Sequence, residues 1–86
     1  MINSGDVIKH KRSMDIAFQV ITSSIDPNTQ NYLLNGVWLN QGQVATSMIL
    51  ELGLSDVVIQ RRYVNDWLKC EKPNSEHIRN EKWSSI

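Results

Sequence analysis

The 86-residue chain has one cysteine, Cys70, only two histidines and no excess of either charge, since nine Lys and Arg balance nine Asp and Glu. A lone cysteine closes no internal disulfide, which excludes a disulfide framework and makes a reducing, cytoplasmic setting the expectation. Without a basic excess, the chain as a whole lacks the phosphate-neutralising charge that gives nucleic-acid binders most of their affinity, although charges can still segregate onto one face. Long apolar runs are missing too. The richest stretch, Val44 to Leu54, is interrupted by Thr46, Ser47 and Glu51 and is too short and polar to cross a bilayer. Met1-Ile2-Asn3-Ser4-Gly5-Asp6 has no basic segment leading into an apolar one, so no signal peptide is predicted. What is present is ordinary for a folded chain: 41% hydrophobic and 21% charged residues exclude wholesale disorder, and the length suits one hydrophobic core.

Short strands dominate the pattern. Gly5 to Lys11 reads as a turn followed by a first strand, and Arg12-Ser13-Met14-Asp15 as a polar break. Ile16, Phe18, Val20 and Thr22 alternate with Ala17 and Gln19, the period of two of a half-buried strand. Asp26-Pro27-Asn28-Thr29 is dense in turn formers. Asn35-Gly36, set between Tyr32-Leu33-Leu34 and Val37-Trp38-Leu39, predicts a two-residue type I′ hairpin, because both residues tolerate positive φ. That hairpin places Tyr32, Leu34, Val37 and Leu39 on one face and Leu33 with Trp38 on the other. Over 43–53 a short helix is the expectation, with Gly53 as its left-handed stop, and a broken strand is the other reading. Val57 to Tyr63 is a strand by β-branched content. Val64 to Trp67 reads as a tight or 3₁₀ turn, and Leu68 to Glu71 as a closing strand. Beyond Pro73 the polar tail, 74–86, is expected to be a short docked helix or disordered.

Two segments resemble a known architecture. Gly5-Asp6-Val7-Ile8-Lys9 is similar to the first strand of small SH3-like barrels, including KOW-type domains. Arg61-Arg62-Tyr63-Val64-Asn65-Asp66-Trp67-Leu68-Lys69 looks like their last segment, where a strand, a 3₁₀ turn and a short final strand close the barrel. The resemblance covers 4–73 and implies a mainly β, five-stranded SH3-like barrel that acts as a binding module. It departs at the first loop, where KOW-type domains carry glycine and this chain has Arg12-Ser13-Met14-Asp15, and again over 43–54. The departures weigh against nucleic-acid binding by the KOW route more than against the barrel. The abundance of Asn, Ile and Ser also resembles accessory proteins of large phages.

No catalytic constellation is visible. His10, Cys70 and His77 lack the paired spacing of a structural zinc site, and Cys70 has no nucleophile elbow, oxyanion motif or glycine-rich phosphate loop near it. Asp6, Asp15, Asp26, Asp56 and Asp66 fall at expected strand ends and turns, where aspartate serves local hydrogen bonding. The expectation is therefore no enzyme, no cofactor, no metal and no small-molecule substrate. Trp and Tyr anchor interfaces, and an apolar patch left exposed by the hairpin marks a contact surface. Leu33, Trp38 and Tyr63 are accordingly the expected contacts for a protein partner or a second copy. The other reading is nucleic acid bound by Lys9, Lys11, Arg12, Arg61 and Arg62, which a barrel would bring together beside Tyr63. With a net charge of zero the preferred reading of both basic clusters, Lys9 to Arg12 and Arg61-Arg62, is solvated strand faces, and Trp67 and Trp83 are assigned to packing.

Overall fold

The computed structural model describes residues 1–13, 15–40, 53–71 and 82–86. The protein is mainly β: β1 (Val7–His10), β2 (Ile16–Ile25), β3 (Tyr32–Asn40), β4 (Ser55–Ile59), a 3₁₀ segment η1 (Arg61–Asp66), β5 (Trp67–Cys70) and β6 (Trp83–Ser85). All neighbours are antiparallel, in one sheet of order β4-β3-β2-β1-β5-β6. No ladder among the described residues joins β4 to β6, so the sheet is open. The expected helix over 43–53 lies outside the described residues, apart from Gly53, whose φ is 71°.

Alternation along the strands puts apolar side chains on both faces of the sheet. Ile8, Phe18, Val20, Leu34 and Ile59 form one buried cluster, joined by Ile2. Val7, Ala17, Val37 and Leu39, which alternation turns to the opposite face, form the other with Cys70. Central strands flanked on both sides in this way are buried through and through, which is why β2 reads as more than half-buried: Ala17, Phe18 and Val20 are all within 1% of full burial.

The Asn35-Gly36 hairpin does not form. Tyr32–Asn40 is one uninterrupted strand, paired with β2 from Ile16↔Asn40 to Ile25↔Tyr32, and neither Asn35 nor Gly36 has positive φ. The glycine serves a close approach instead. A Cβ at Gly36 would overlap the Gln19 carbonyl oxygen and lie 3.1 Å from a Phe18 ring carbon. A bulge between Val20 and Thr22 accompanies this approach, and it shifts the β2–β3 register by one residue.

The turn is made where Asp26-Pro27-Asn28-Thr29 predicts it. Asp26 Oδ1 accepts hydrogen bonds from the Asn28 and Thr29 amides at 2.8 and 3.4 Å, and the chain returns through Gln30 at φ 64°. Asp26→Ala removes that acceptor and is expected to cost about 1 kcal/mol. Urea titration of the two proteins measures it, and equal midpoints would show the turn to be held by its backbone bonds alone.

One more expectation is corrected, and both ends of the chain add residues to the sheet and its core. The strand expected over Val57–Tyr63 stops at Ile59, and the 3₁₀ segment starts at Arg61, because the Tyr63 amide already turns back to the Gln60 carbonyl at 2.9 Å. Of the tail expected over 74–86, residues 74–81 lie outside the described residues. Trp83–Ser85 is a sixth strand paired with β5, Cys70 facing Trp83, and Ile86 packs into the first cluster. Finally, Ile2, ahead of the expected domain start at residue 4, is 2% exposed. Its amide donates to Tyr32 Oη at 3.3 Å and its carbonyl accepts from Ser23 Oγ at 2.8 Å.

Candidate binding surfaces

Strand alternation decides which predicted contact residues share a surface, and it separates Leu33 from Trp38. Trp38 faces Phe18 across β2–β3, ring centroids 4.9 Å apart, and packs half-buried against the cluster that includes Leu34 and Tyr32. Leu33 points to the opposite face, opposite Val58 of β4. The false hairpin is the cause: with a turn at Asn35-Gly36, the alternation would restart and place Leu33 beside Trp38. In the continuous strand the exposed apolar pair is Leu33 and Val58, 40% and 60% exposed, with Leu54 just ahead of β4 at 52%. Val58 and Leu54 escaped the sequence reading, because β-branched content identifies a strand without saying which side is covered. Tyr63 is exposed, on η1, with the Arg62 guanidinium 4.8 Å from its ring centroid.

The basic residues divide as well. Lys9 does not stand on a solvated face: it is 8% exposed, and its ammonium lies 4.3 Å from the Trp83 ring centroid, a cation–π contact. His10 is half-buried and meets Trp67 edge-on at 5.3 Å. Lys11, Arg12, Arg61 and Arg62 remain at the surface. The Lys11 amide donates to the Asp66 carbonyl at 2.9 Å, which sets Lys11 and Arg12 at one end of η1 while Arg61 and Arg62 occupy the other. Six 3₁₀ residues rise about 12 Å, so the two pairs flank one short segment. Among the described residues none of the four makes an ion pair.

Beside Arg61 and Arg62 runs a groove of about 420 Å³ lined by Thr29, Asn31, Gln60, Arg61, Arg62 and Asn65. Its walls come from the β2–β3 turn and from η1, and they are tied together where the Arg61 amide donates to Asn31 Oδ1 at 3.2 Å. This concavity was not foreseen, because it depends on two segments thirty residues apart. Cys70 is buried in the second cluster, as its reading as a core residue requires. No group of three or more His, Cys, Asp or Glu stands together among the described residues, and His77 lies outside them. No helix among the described residues is long and apolar enough to cross a membrane.

These features define a small antiparallel β protein with an apolar edge strip and a cationic groove. Comparison with protein-family models, with curated proteins and with solved structures found no match.

Proposed function

We propose that the chain is a non-enzymatic protein-interaction module built on an SH3-like barrel, and that it binds a protein partner or a second copy of itself through exposed apolar side chains. The observation that carries this is the exposed apolar pair Leu33 and Val58, opposite one another on β3 and β4 at the sheet edge, with Leu54 also exposed beyond the Asn35–Asp56 pair. Exposed apolar strips beside a strand edge are surfaces that other chains cover. Tyr63 adds an exposed aromatic ring on η1. The barrel part is supported by η1 leading directly into β5, which pairs back onto β1 as the closing segment of that family does. The non-enzymatic part rests on the sequence, which carries no nucleophile motif or phosphate loop; a cytoplasmic setting and a phage accessory role rest on composition alone.

The test is capture of host proteins on the immobilised full chain, with nuclease present, using wild type and Val58→Asp. A partner, or a second copy, retained by wild type and reduced at least tenfold by Val58→Asp supports the reading, since burying an unpaired carboxylate is costly. Equal retention sinks the strip as the contact surface.

A second reading, nucleic-acid binding, has one observation in its favour: the Lys11–Asp66 backbone bond gathers Lys11, Arg12, Arg61 and Arg62 around η1. Capture that disappears with nuclease and falls steeply with salt would select it.

A further inference from the structure

We propose that the groove between the Asp26–Asn31 turn and η1 takes a short peptide segment in which a carboxylate stands beside an aliphatic side chain. This rests on the protein-interaction reading and names the chemistry of the partner at a second surface.

The first argument is an excess of donors. In this groove three of the four side-chain amide and hydroxyl oxygens already accept a hydrogen bond within the protein, and only Asn65 Oδ1 is left as an open acceptor among the described residues. Asn31 Oδ1 accepts from the Arg61 amide at 3.2 Å, Gln60 Oε1 accepts from Arg62 Nε at 3.2 Å, and Thr29 Oγ1 accepts from the Asn31 amide at 3.3 Å. Against that one acceptor stand more donors: the Asn31, Gln60 and Asn65 amide nitrogens, the Thr29 hydroxyl, the Arg61 guanidinium and the terminal nitrogens of Arg62. Neither arginine makes an ion pair among the described residues. A wall that presents donors and cations selects an anion, and the guanidinium fork matches a carboxylate with two parallel hydrogen bonds.

The second argument is the neighbouring hollow. A pocket of about 290 Å³ shares Arg61 and Asn65 with the groove and is otherwise lined by Ile25, Gln30, Tyr32 and Val64. Ile25 is 42% exposed and Val64 half-buried, so aliphatic surface lines a hollow that Arg61 also borders. Together the two hollows offer one anion subsite and one aliphatic subsite, the division of labour usual in ligand clefts.

The aliphatic subsite also decides against a nucleic-acid strand here. Single strands bind through aromatic platforms on which bases stack. The exposed ring on η1, Tyr63, already carries the Arg62 guanidinium at 4.8 Å and does not line either hollow, and the ring that lines the second, Tyr32, is half-buried against the first cluster and leaves no open platform for a base.

Titration of the ¹⁵N-labelled full chain tests the proposal. The probes are an end-blocked octapeptide of alternating Leu and Asp, the same peptide with Asn for Asp, and a thymidine oligonucleotide of equal charge. The Leu-Asp peptide is expected to shift the amides of Thr29, Asn31, Arg61 and Asn65, and the Leu-Asn peptide to bind at least tenfold more weakly. Arg61→Gln, which leaves its backbone bond to Asn31 in place, is expected to weaken the Leu-Asp peptide at least tenfold, and Ile25→Ser at least threefold. Equal binding of the two peptides, or indifference to Arg61→Gln, overturns the proposal. So does tighter, Arg61-dependent binding of the oligonucleotide at the same amides, which would assign the groove to nucleic acid. Val58→Asp separates this from the apolar strip. Peptide binding within twofold of wild type in that variant is expected even if partner capture proves indifferent to it, whereas loss of peptide binding there overturns an independent groove.

Discussion

Alanine at Gly36 is expected to destabilise the protein by at least about 3 kcal/mol, at the upper end of what overpacking costs. The added methyl group would overlap the Gln19 carbonyl oxygen, with the Gln19 carbonyl carbon at 3.0 Å and Phe18 Cε2 at 3.1 Å behind it. Two of those atoms are backbone of the neighbouring strand, so relief needs β2 and β3 to part. They are the longest-paired strands in the sheet, with partners from Ile16 to Ile25 and from Tyr32 to Asn40. Phe18, fully buried at the centre of the first cluster, would move with them. Urea unfolding followed by tryptophan fluorescence reads the effect. A loss under about 1 kcal/mol would mean that the close approach of Gln19 to Gly36 does not exist.

Trp83→Ala is expected to cost about 3 kcal/mol, within the range for deleting a large aromatic side chain. Two losses combine. Trp83 packs against the cluster formed by Val7, Ala17, Val37, Leu39 and Cys70, and its ring lies 4.3 Å from the ammonium of Lys9, which is 8% exposed. Without the ring the ammonium loses its cation–π partner, and the apolar surface that the ring covered is opened to water. Trp83 Nε1 is itself buried with no acceptor among the described residues, so the indole nitrogen contributes nothing favourable. Trp83→Phe keeps an aromatic face over Lys9 and removes that unmet donor, and should stay within about 1 kcal/mol of wild type. Thermal unfolding of the two variants, with Lys9→Met in each background, separates packing from the cation–π contact. If Lys9→Met restores nothing in Trp83→Ala, the cation is not the reason for the loss.

Much of the candidate site was legible as residue types and not as places. Arg61, Arg62 and Tyr63 were singled out, and all three are exposed on η1. Lys9 and Trp38 were singled out too, and both turned inward, because each finds an aromatic ring across the sheet. Val58 gave no signal of its own: it reads as one more β-branched strand residue, and only its position opposite exposed Leu33 makes it part of a strip.

What the sequence determined alone is whatever depends on neighbours in the chain. The β1 and β2 strands, the Asp26 turn, the 3₁₀ turn ahead of β5 and the buried Cys70 follow from local period, turn chemistry and side-chain polarity. The tertiary structure decided the rest. Asn35-Gly36 satisfies a hairpin rule and a close-approach rule equally well, and only the arrival of β2 beside it selects the second. The three-residue strand at Trp83 has too little local signal to be read, and exists because β5 offers an edge and Lys9 offers a cation to its ring. The groove joins Thr29 and Asn31 to Arg61 and Arg62. No local rule reaches across thirty residues, so that site belongs to the fold.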